Sequence, residues 1–218
     1  MTDSLQSQFD AWAAAYDADV AASAADGAAG GVGFPFAGYD RVLARVAELA
    51  DLAPGMAVLE LGPGTGNLTA RLAERGAAVW ALDFSAEMLA RARARVPAAY
   101  FAQAHLLGDY PPDFHRPFDC VASTYTFHEL PLPDKLALLR RLFADHLGPG
   151  GAVVVGDVGF PNAAVRDAMR AAAGDSWSEE QYWVMDEAGP ALRAAGLAVE
   201  YEQHSSCGMS VRITLRRP

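Results

Sequence analysis

The chain has 218 residues, enough for one α/β core with little room for a second domain. Hydrophobic residues make up 52% and charged residues 20%, which excludes a disordered chain. A net charge of −10 without a Lys/Arg cluster argues against a nucleic-acid surface; it suits a small or cationic ligand, or serves solubility alone.

Residues 3–20 predict an amphipathic helix, because Leu5, Phe9, Trp12, Ala13 and Tyr16 recur at spacings of three and four. An Ala/Gly-rich stretch over 21–33 reads as a helix end followed by a mobile loop. Phe34, Phe36 and Tyr39 come next, as a lid over a pocket or as an anchoring contact. Residues 39–52 predict a helix that Pro54 and Gly55 terminate. A short apolar strand at 57–61 then runs into glycines, and 67–75 predict a helix ended by Gly76. The second strand is 79–82, ending at Asp83. Ser85 is the expected N-cap of a helix over 86–95, which Pro97 stops. A weaker third strand covers 100–104, and 108–117 is loop. The fourth strand is 118–123, followed by the polar-aromatic run 124–129. Residues 132–147 predict a helix, 148–151 a tight turn, and 152–156 the fifth strand. Helices are expected near 162–173 and 179–195, and strands at 197–203 and 209–215.

Alternating strands and helices imply a parallel sheet covered on both faces. The last two strands lack a helix between them and should form an antiparallel hairpin at one edge. The two cysteines, Cys120 and Cys207, cannot make a disulfide framework, and no metal-ligand spacing is present among the scattered histidines. No stretch of about 20 apolar residues spans a membrane, and the N-terminus lacks a secretory pattern, so a cytoplasmic location is expected.

The strand–glycine loop–helix unit at 57–75 is a nucleotide-site candidate, because such a turn brings a ligand close to the backbone and to N–H groups at a helix start. The pattern is Gly62-x-Gly64-x-Gly66, with Asn67 where a dinucleotide fingerprint wants its third glycine. Glu60 precedes the loop, where a ligand's ammonium group would want an anion. Asp83 ends the next strand, where a carboxylate can accept two hydrogen bonds from a ribose diol; complementing the helix that follows is its alternative role.

These runs (Val58 to Thr69, Ala81 to Leu89, Phe118 to Ser123, Leu147 to Gly151) resemble the motifs of the class I S-adenosylmethionine-dependent methyltransferases across nearly the whole chain. The N-terminal aromatics and the 123–128 segment resemble a bacterial subgroup of small, poorly characterised members. The resemblance implies a Rossmann-like, doubly wound, seven-stranded sheet in the order 3-2-1-4-5-7-6, with strand 7 antiparallel and an N-terminal helical cap. It implies a single domain over 1–218, with 1–40 forming a lid. S-adenosylmethionine is the implied cofactor. Gly62 and Gly64 would pass beneath its methionine part, Pro63 and Asn67 would also contact the cofactor, Asp83 would hold the ribose, and Phe84 and Met88 would flank the adenine. Ser123 and Thr124 would lie near the methionine end, and Tyr16 would close over it. One departure is His105, followed by Leu106, where relatives often carry an acidic residue for the adenine amino group; neutral imidazole accepts one hydrogen bond and imidazolium none.

For the chemistry, His128 is a candidate base or a packed histidine, and Tyr125 a candidate for orienting the acceptor or stabilising sulfonium charge. Glu129 reads as solvent-facing or as a salt-bridge partner, and Asp157 as a pocket-rim candidate. The expected function is methyl transfer to a small molecule, with neither nucleic acid nor membrane as partner. A non-catalytic S-adenosylmethionine-binding protein and a nicotinamide-dependent oxidoreductase are the alternatives, the latter disfavoured by Glu60 and Asn67. Acceptor recognition is expected from the N-terminal helix, the 34–39 segment and the region around Trp177, Tyr182 and Trp183, whose aromatics suggest a pocket with apolar walls or else a dimer contact; nothing in the sequence names the acceptor or the oligomeric state.

Overall fold

A computed structural model of the chain describes residues 2–216. Strands β1 (Ala57–Leu61), β2 (Ala78–Asp83), β3 (Tyr100–Gln103), β4 (Phe118–Thr124), β5 (Leu147–Phe160), β6 (Trp183–Val184), β7 (Leu197–Gln203) and β8 (Gly208–Leu215) form one sheet. Its order is β3-β2-β1-β4-β5-β8-β7, with β6 pairing alongside β5. β1 to β5 are parallel, and β8 runs antiparallel to both β5 and β7. This is the expected order; the two-residue β6 adds an eighth strand and renumbers the final hairpin.

Both faces of the sheet are covered, so its central strands carry apolar side chains in alternation to each side. Val58, Ala122 and Val154 pack with Val42 and Val46 of α3 (Tyr39–Leu49) and with Leu68 and Leu72 of α4 (Asn67–Glu74). Leu59, Val121 and Val153 pack to the other side, with Leu138 and Leu139 of α6 (Leu132–Arg141) and Leu192 of α8 (Met185–Ala194). Each such fully buried side chain stabilises the fold by roughly 1.5–3 kcal/mol. Ser85 caps α5 (Ala86–Arg95) as expected, its hydroxyl accepting from the Met88 N–H at 3.1 Å. Such a cap contributes about 1 kcal/mol.

Three segments differ from expectation. The single N-terminal helix is two, α1 (Thr2–Trp12) and α2 (Tyr16–Ala28), broken at 13–15. The break is tertiary in origin: Trp12 donates to Asp19 across it, and Asp17 is drawn towards the glycine loop. Alanine's high helix propensity then carries α2 to Ala28, the helix end expected before the non-helical residues 29–33. Around 148–151 the chain does not turn clear of the sheet. β5 already begins at Leu147, after a π-helical turn at Leu142–His146, and its register against β4 shifts between Phe118 and Cys120. Finally, the helix read over 179–195 begins only at Met185. The segment before it is extended because Gln181 N–H donates to the His128 carbonyl, Trp183 Nε1 donates to Asp157, and β6 pairs with the end of β5. Before that segment, α7 (Ala163–Ala173) matches its expectation, capped by Asn162.

Phe34, Phe36 and Tyr39 are buried: Phe34 stacks on Trp177 at 5.0 Å, and Tyr39 stacks on Tyr125 at 5.1 Å. Both cysteines are buried free thiols. Among the described residues no helix is long and apolar enough to cross a membrane.

Candidate methyl-donor and acceptor site

β1, β2 and β4 end together beside the point where the strand order reverses, the place where open α/β sheets bind ligands. From β1 the chain enters the glycine loop, and the Gly62 N–H donates to the Leu82 carbonyl at 2.8 Å. Gly62 has φ 69°, and a Cβ there would sit 2.2 Å from the Thr126 hydroxyl oxygen, so the loop passes this close only as glycine. Gly64 has φ 53°, and a Cβ on it would meet nothing within 4 Å: its backbone faces the open cleft.

Asp83, at the end of β2, faces the loop. One carboxylate oxygen accepts from the Gly64 N–H at 3.1 Å and the other from the Ser85 N–H at 2.9 Å. Burial pushes this carboxyl up to about 6, against the lowering effect of those backbone donors.

The cleft between them is lined by Gly62, Pro63, Gly64, Asn67, Asp83 and Phe84, and by Tyr16, Met88, Leu106 and Thr124. Tyr125 also lines it, as do Phe9, Tyr39, Leu68, Thr126 and Glu129, which were not in the expected donor set. Leu68 could have been read from its place beside Asn67. Thr126 and Glu129 carry no local signal, since their position depends on β4 pairing with β1.

Glu60, Ser123 and His105 do not line the cleft. Ser123 is fully buried and its hydroxyl donates to the Leu61 carbonyl at 2.7 Å, bridging β4 and β1. His105 is exposed, and its Nδ1 accepts from the Leu107 N–H at 3.3 Å. Glu60 lies beneath the loop with no exposed surface. Its Oε2 accepts from the Thr69 hydroxyl at 2.6 Å, while Oε1 is buried without a partner. Burial pushes this carboxyl up to about 8.

The N-terminal segment is clamped across the cleft, leaving about 50 Å³ of free space. Asp10 accepts from the Ser85 hydroxyl at 2.5 Å, and Phe9 meets Phe84 edge-on at 5.3 Å. Asp17 accepts from the Thr65 hydroxyl at 2.6 Å and the Asn67 amide at 3.0 Å, and pairs with Arg95 at 2.7 Å. Burial alone would raise the Asp17 carboxyl, but these hydrogen bonds and Arg95 hold it below its usual range.

A second cavity, of about 280 Å³, adjoins this cleft and shares Phe9, Tyr16, Tyr125 and Glu129 with it. Tyr125 lines both. It has φ 50°, a left-handed conformation that costs a non-glycine residue of order 1–3 kcal/mol, and its buried hydroxyl has no hydrogen-bond partner. His128 also lines the second cavity, from a 3-10 turn at Phe127–Glu129. Its Nδ1 lies 2.5 Å from Asp157, and its Nε2 lies 3.7 Å from Glu129 and 3.6 Å from Glu180. Asp157 is not at a rim: it is fully buried and also accepts from the His128 N–H at 2.9 Å and from Trp183 Nε1 at 3.2 Å. Burial opposes charge on His128, but Asp157, with Glu180 and Glu129 behind it, pushes the imidazole up to about 9. Glu129 is the salt-bridge partner of its two expected roles, facing His128 rather than open solvent; it lines both cavities, and burial raises its carboxyl. Cavities of about 360 and 530 Å³ lie elsewhere, but neither includes the glycine loop, Asp83 or Tyr125.

A family model described as a methyltransferase domain matches residues 58–151, from β1 into the start of β5. An uncharacterized methyltransferase of Geobacillus kaustophilus is 34% identical over 212 residues, 91% of each chain. The uncharacterized methyltransferase YrrT of Bacillus subtilis is 29% identical over 206 residues, 90% of this chain and 91% of its own. Among solved structures, the DhpI–SAH complex superposes with a TM-score of 0.70 at 23% identity, covering 99% of this chain and 97% of that one. The [4+2]-cyclase SpnF superposes with a TM-score of 0.62 at 19% identity over 81% of each, so the shared fold does not dictate the reaction. Sheet order, glycine loop and sequence kinship together define a class I S-adenosylmethionine-dependent methyltransferase. Within that class the chain belongs to the bacterial methyltransferase family of the Geobacillus and Bacillus proteins.

Proposed function

We propose that the protein transfers a methyl group from S-adenosylmethionine to a small-molecule acceptor, releasing S-adenosylhomocysteine. The observation that carries this reading is the pairing of the buried Asp83 carboxylate with the open backbone at Gly64, across a cleft that adjoins a second cavity through Tyr125. The residues suit the donor. Asp83 offers two acceptor oxygens to a ribose diol, Phe84, Met88 and Leu106 offer apolar walls to adenine, and Glu60 leaves one orphaned oxygen beneath the loop as the counter-charge to an ammonium group.

When bound, S-adenosylmethionine supplies an electrophilic methyl group on a positively charged sulfur. The chain's own contribution is chiefly positioning, which can lower the barrier by several kcal/mol, up to about 7–11. Gly62, Pro63 and Gly64 give the methionine part backbone contact, with Asn67, Thr124 and Tyr16 around it. Tyr125 offers its ring to the cationic sulfur and its unpaired hydroxyl to the acceptor. His128 takes a proton at Nε2 when neutral, and Asp157 at Nδ1 fixes the tautomer and stabilises the resulting imidazolium. The phenylalanines and Trp12 keep water from this junction.

Incubation with methyl-labelled donor and fractionated small-molecule extract tests the proposal. Label should appear in a small molecule as S-adenosylhomocysteine accumulates, and Asp83→Ala should lose both. Tight donor binding with no acceptor in any fraction would favour a binding protein without turnover.

A further inference from the structure

The acceptor cavity has a distinctive charge and shape. Its walls are aromatic: Phe9, Trp12, Tyr16, Phe36 and Tyr125. No lysine or arginine lines it, while Glu129, Glu179 and Glu180 do. Glu179 is neutralised by Arg170, outside the cavity. Glu129 and Glu180 are not: among the described residues their ion-pair partner is His128 alone, at distances too long for hydrogen bonds. Glu180 is nonetheless held in place, because the Ser178 hydroxyl donates to its other oxygen at 2.7 Å. The Tyr125 hydroxyl, buried and without a partner, adds a polar group that nothing in the protein satisfies.

An anionic acceptor would have to approach two carboxylates with no cation but His128, whose charge Asp157 already balances. A neutral one would leave them uncompensated. A cation with an apolar body satisfies both features, since ammonium groups pair with carboxylates and lie favourably against aromatic faces. We propose that the acceptor is a protonated amine with an apolar or aromatic body, held by Glu129 and Glu180 and methylated on nitrogen.

This assignment rests on the methyl-transfer reading and names the substrate class of the same site. The balance is simple. His128 first releases its own proton to solvent; the ammonium then gives one proton to the neutral Nε2, and the freed nitrogen lone pair forms the N–C bond to the methyl carbon. The C–S bond breaks with its electron pair left on sulfur, which becomes a neutral thioether, and the positive charge passes to the methylated nitrogen. In this scheme Asp157 is a positioning residue.

The test is calorimetric titration of the full chain, first with S-adenosylhomocysteine and then, with that ligand saturating, with phenethylamine, phenethyl alcohol and phenylpropionate. The three probes share a body and differ in charge. Phenethylamine should bind about tenfold more tightly than the alcohol, and phenylpropionate more weakly still, in line with partly buried charge pairs. Glu180→Gln, which keeps an oxygen for Ser178, should lower the amine's affinity about tenfold and leave the alcohol's unchanged. If S-adenosylhomocysteine binds but the amine shows no advantage, or the variant does not change its affinity, the amine assignment falls alone. If S-adenosylhomocysteine itself fails to bind, the methyl-transfer reading falls with it.

Discussion

Glu60 and Asp83 are carboxylates whose burial sets their chemistry. Glu60 is raised from 4.5 to about 8. A carboxyl raised in the folded state favours folding most below its unfolded value, and that advantage is lost as pH rises through the folded value. Wild-type stability should therefore fall between pH 4.5 and 8 by more than that of Glu60→Gln, whose amide oxygen can still accept from Thr69. Chemical denaturation should find the two equal near pH 4 and the variant more stable by about 1–3 kcal/mol near pH 8, the cost of ionising a buried carboxyl. An ammonium group placed over the loop would ionise Glu60, so donor binding at neutral pH should release protons, visible as binding heats that depend on the buffer. His128 carries the opposite sign of charge with the same direction of shift. If its neutral form takes the acceptor proton, kcat should climb with pH towards about 9, and His128→Asn should flatten that limb.

Much of this residue-level chemistry was legible in the sequence because it is local. The glycine loop and Asp83 belong to consecutive strand–loop–helix units, and Glu60 before the loop and Asn67 after it are what set it apart from a dinucleotide loop. The second cavity was legible in outline, since the N-terminal helix, the 34–39 segment and the stretch after Trp177 do line it, but its carboxylates were not. Glu180 reaches His128 only because the chain before α8 stays extended against β5, whereas the helical spacing of 179–195 pointed elsewhere. Ser123 was placed on the right strand, but a hydroxyl on a central strand turns to the neighbouring carbonyl when that is the nearest acceptor.

At the scale of elements, the N-terminal pair α1 and α2 lies across the glycine-loop cleft. The donor cleft holds about 50 Å³, far below the several hundred Å³ that ligand pockets usually offer. Asp10 on Ser85, and Asp17 on Thr65, Asn67 and Arg95, are the polar ties that hold the pair there. Asp17→Ala should accelerate binding and release of S-adenosylhomocysteine, each by about threefold to tenfold for the loss of partly exposed hydrogen bonds and an ion pair. Stopped-flow Trp fluorescence would read this, Trp12 lying beside Tyr16 at 4.8 Å. Unchanged rates would mean that the segment is a fixed wall. The hydrophobic pattern of 3–20 showed which face packs inward, but not that two aspartates on the arm are ties.

For the whole molecule, one sheet end gathers the glycine-loop cleft and a second cavity, both lined by a strained tyrosine, Tyr125. Tyr125→Phe isolates the hydroxyl: folding and donor affinity should hold, while kcat/KM should drop by about tenfold or more if that hydroxyl orients the acceptor. A chain with net charge −10 also places its acidic residues to effect here, since the carboxylates facing the acceptor cavity share the sign of the molecule's field.

Calorimetric titration of S-adenosylhomocysteine into the wild-type protein and into Asp83→Ala addresses the central claim most directly. The account predicts a single site on the wild type and an affinity at least about tenfold weaker in the variant, the loss expected when charge-assisted hydrogen bonds to a diol are removed. Absence of binding to the wild type, or equal affinity in both proteins, would contradict it.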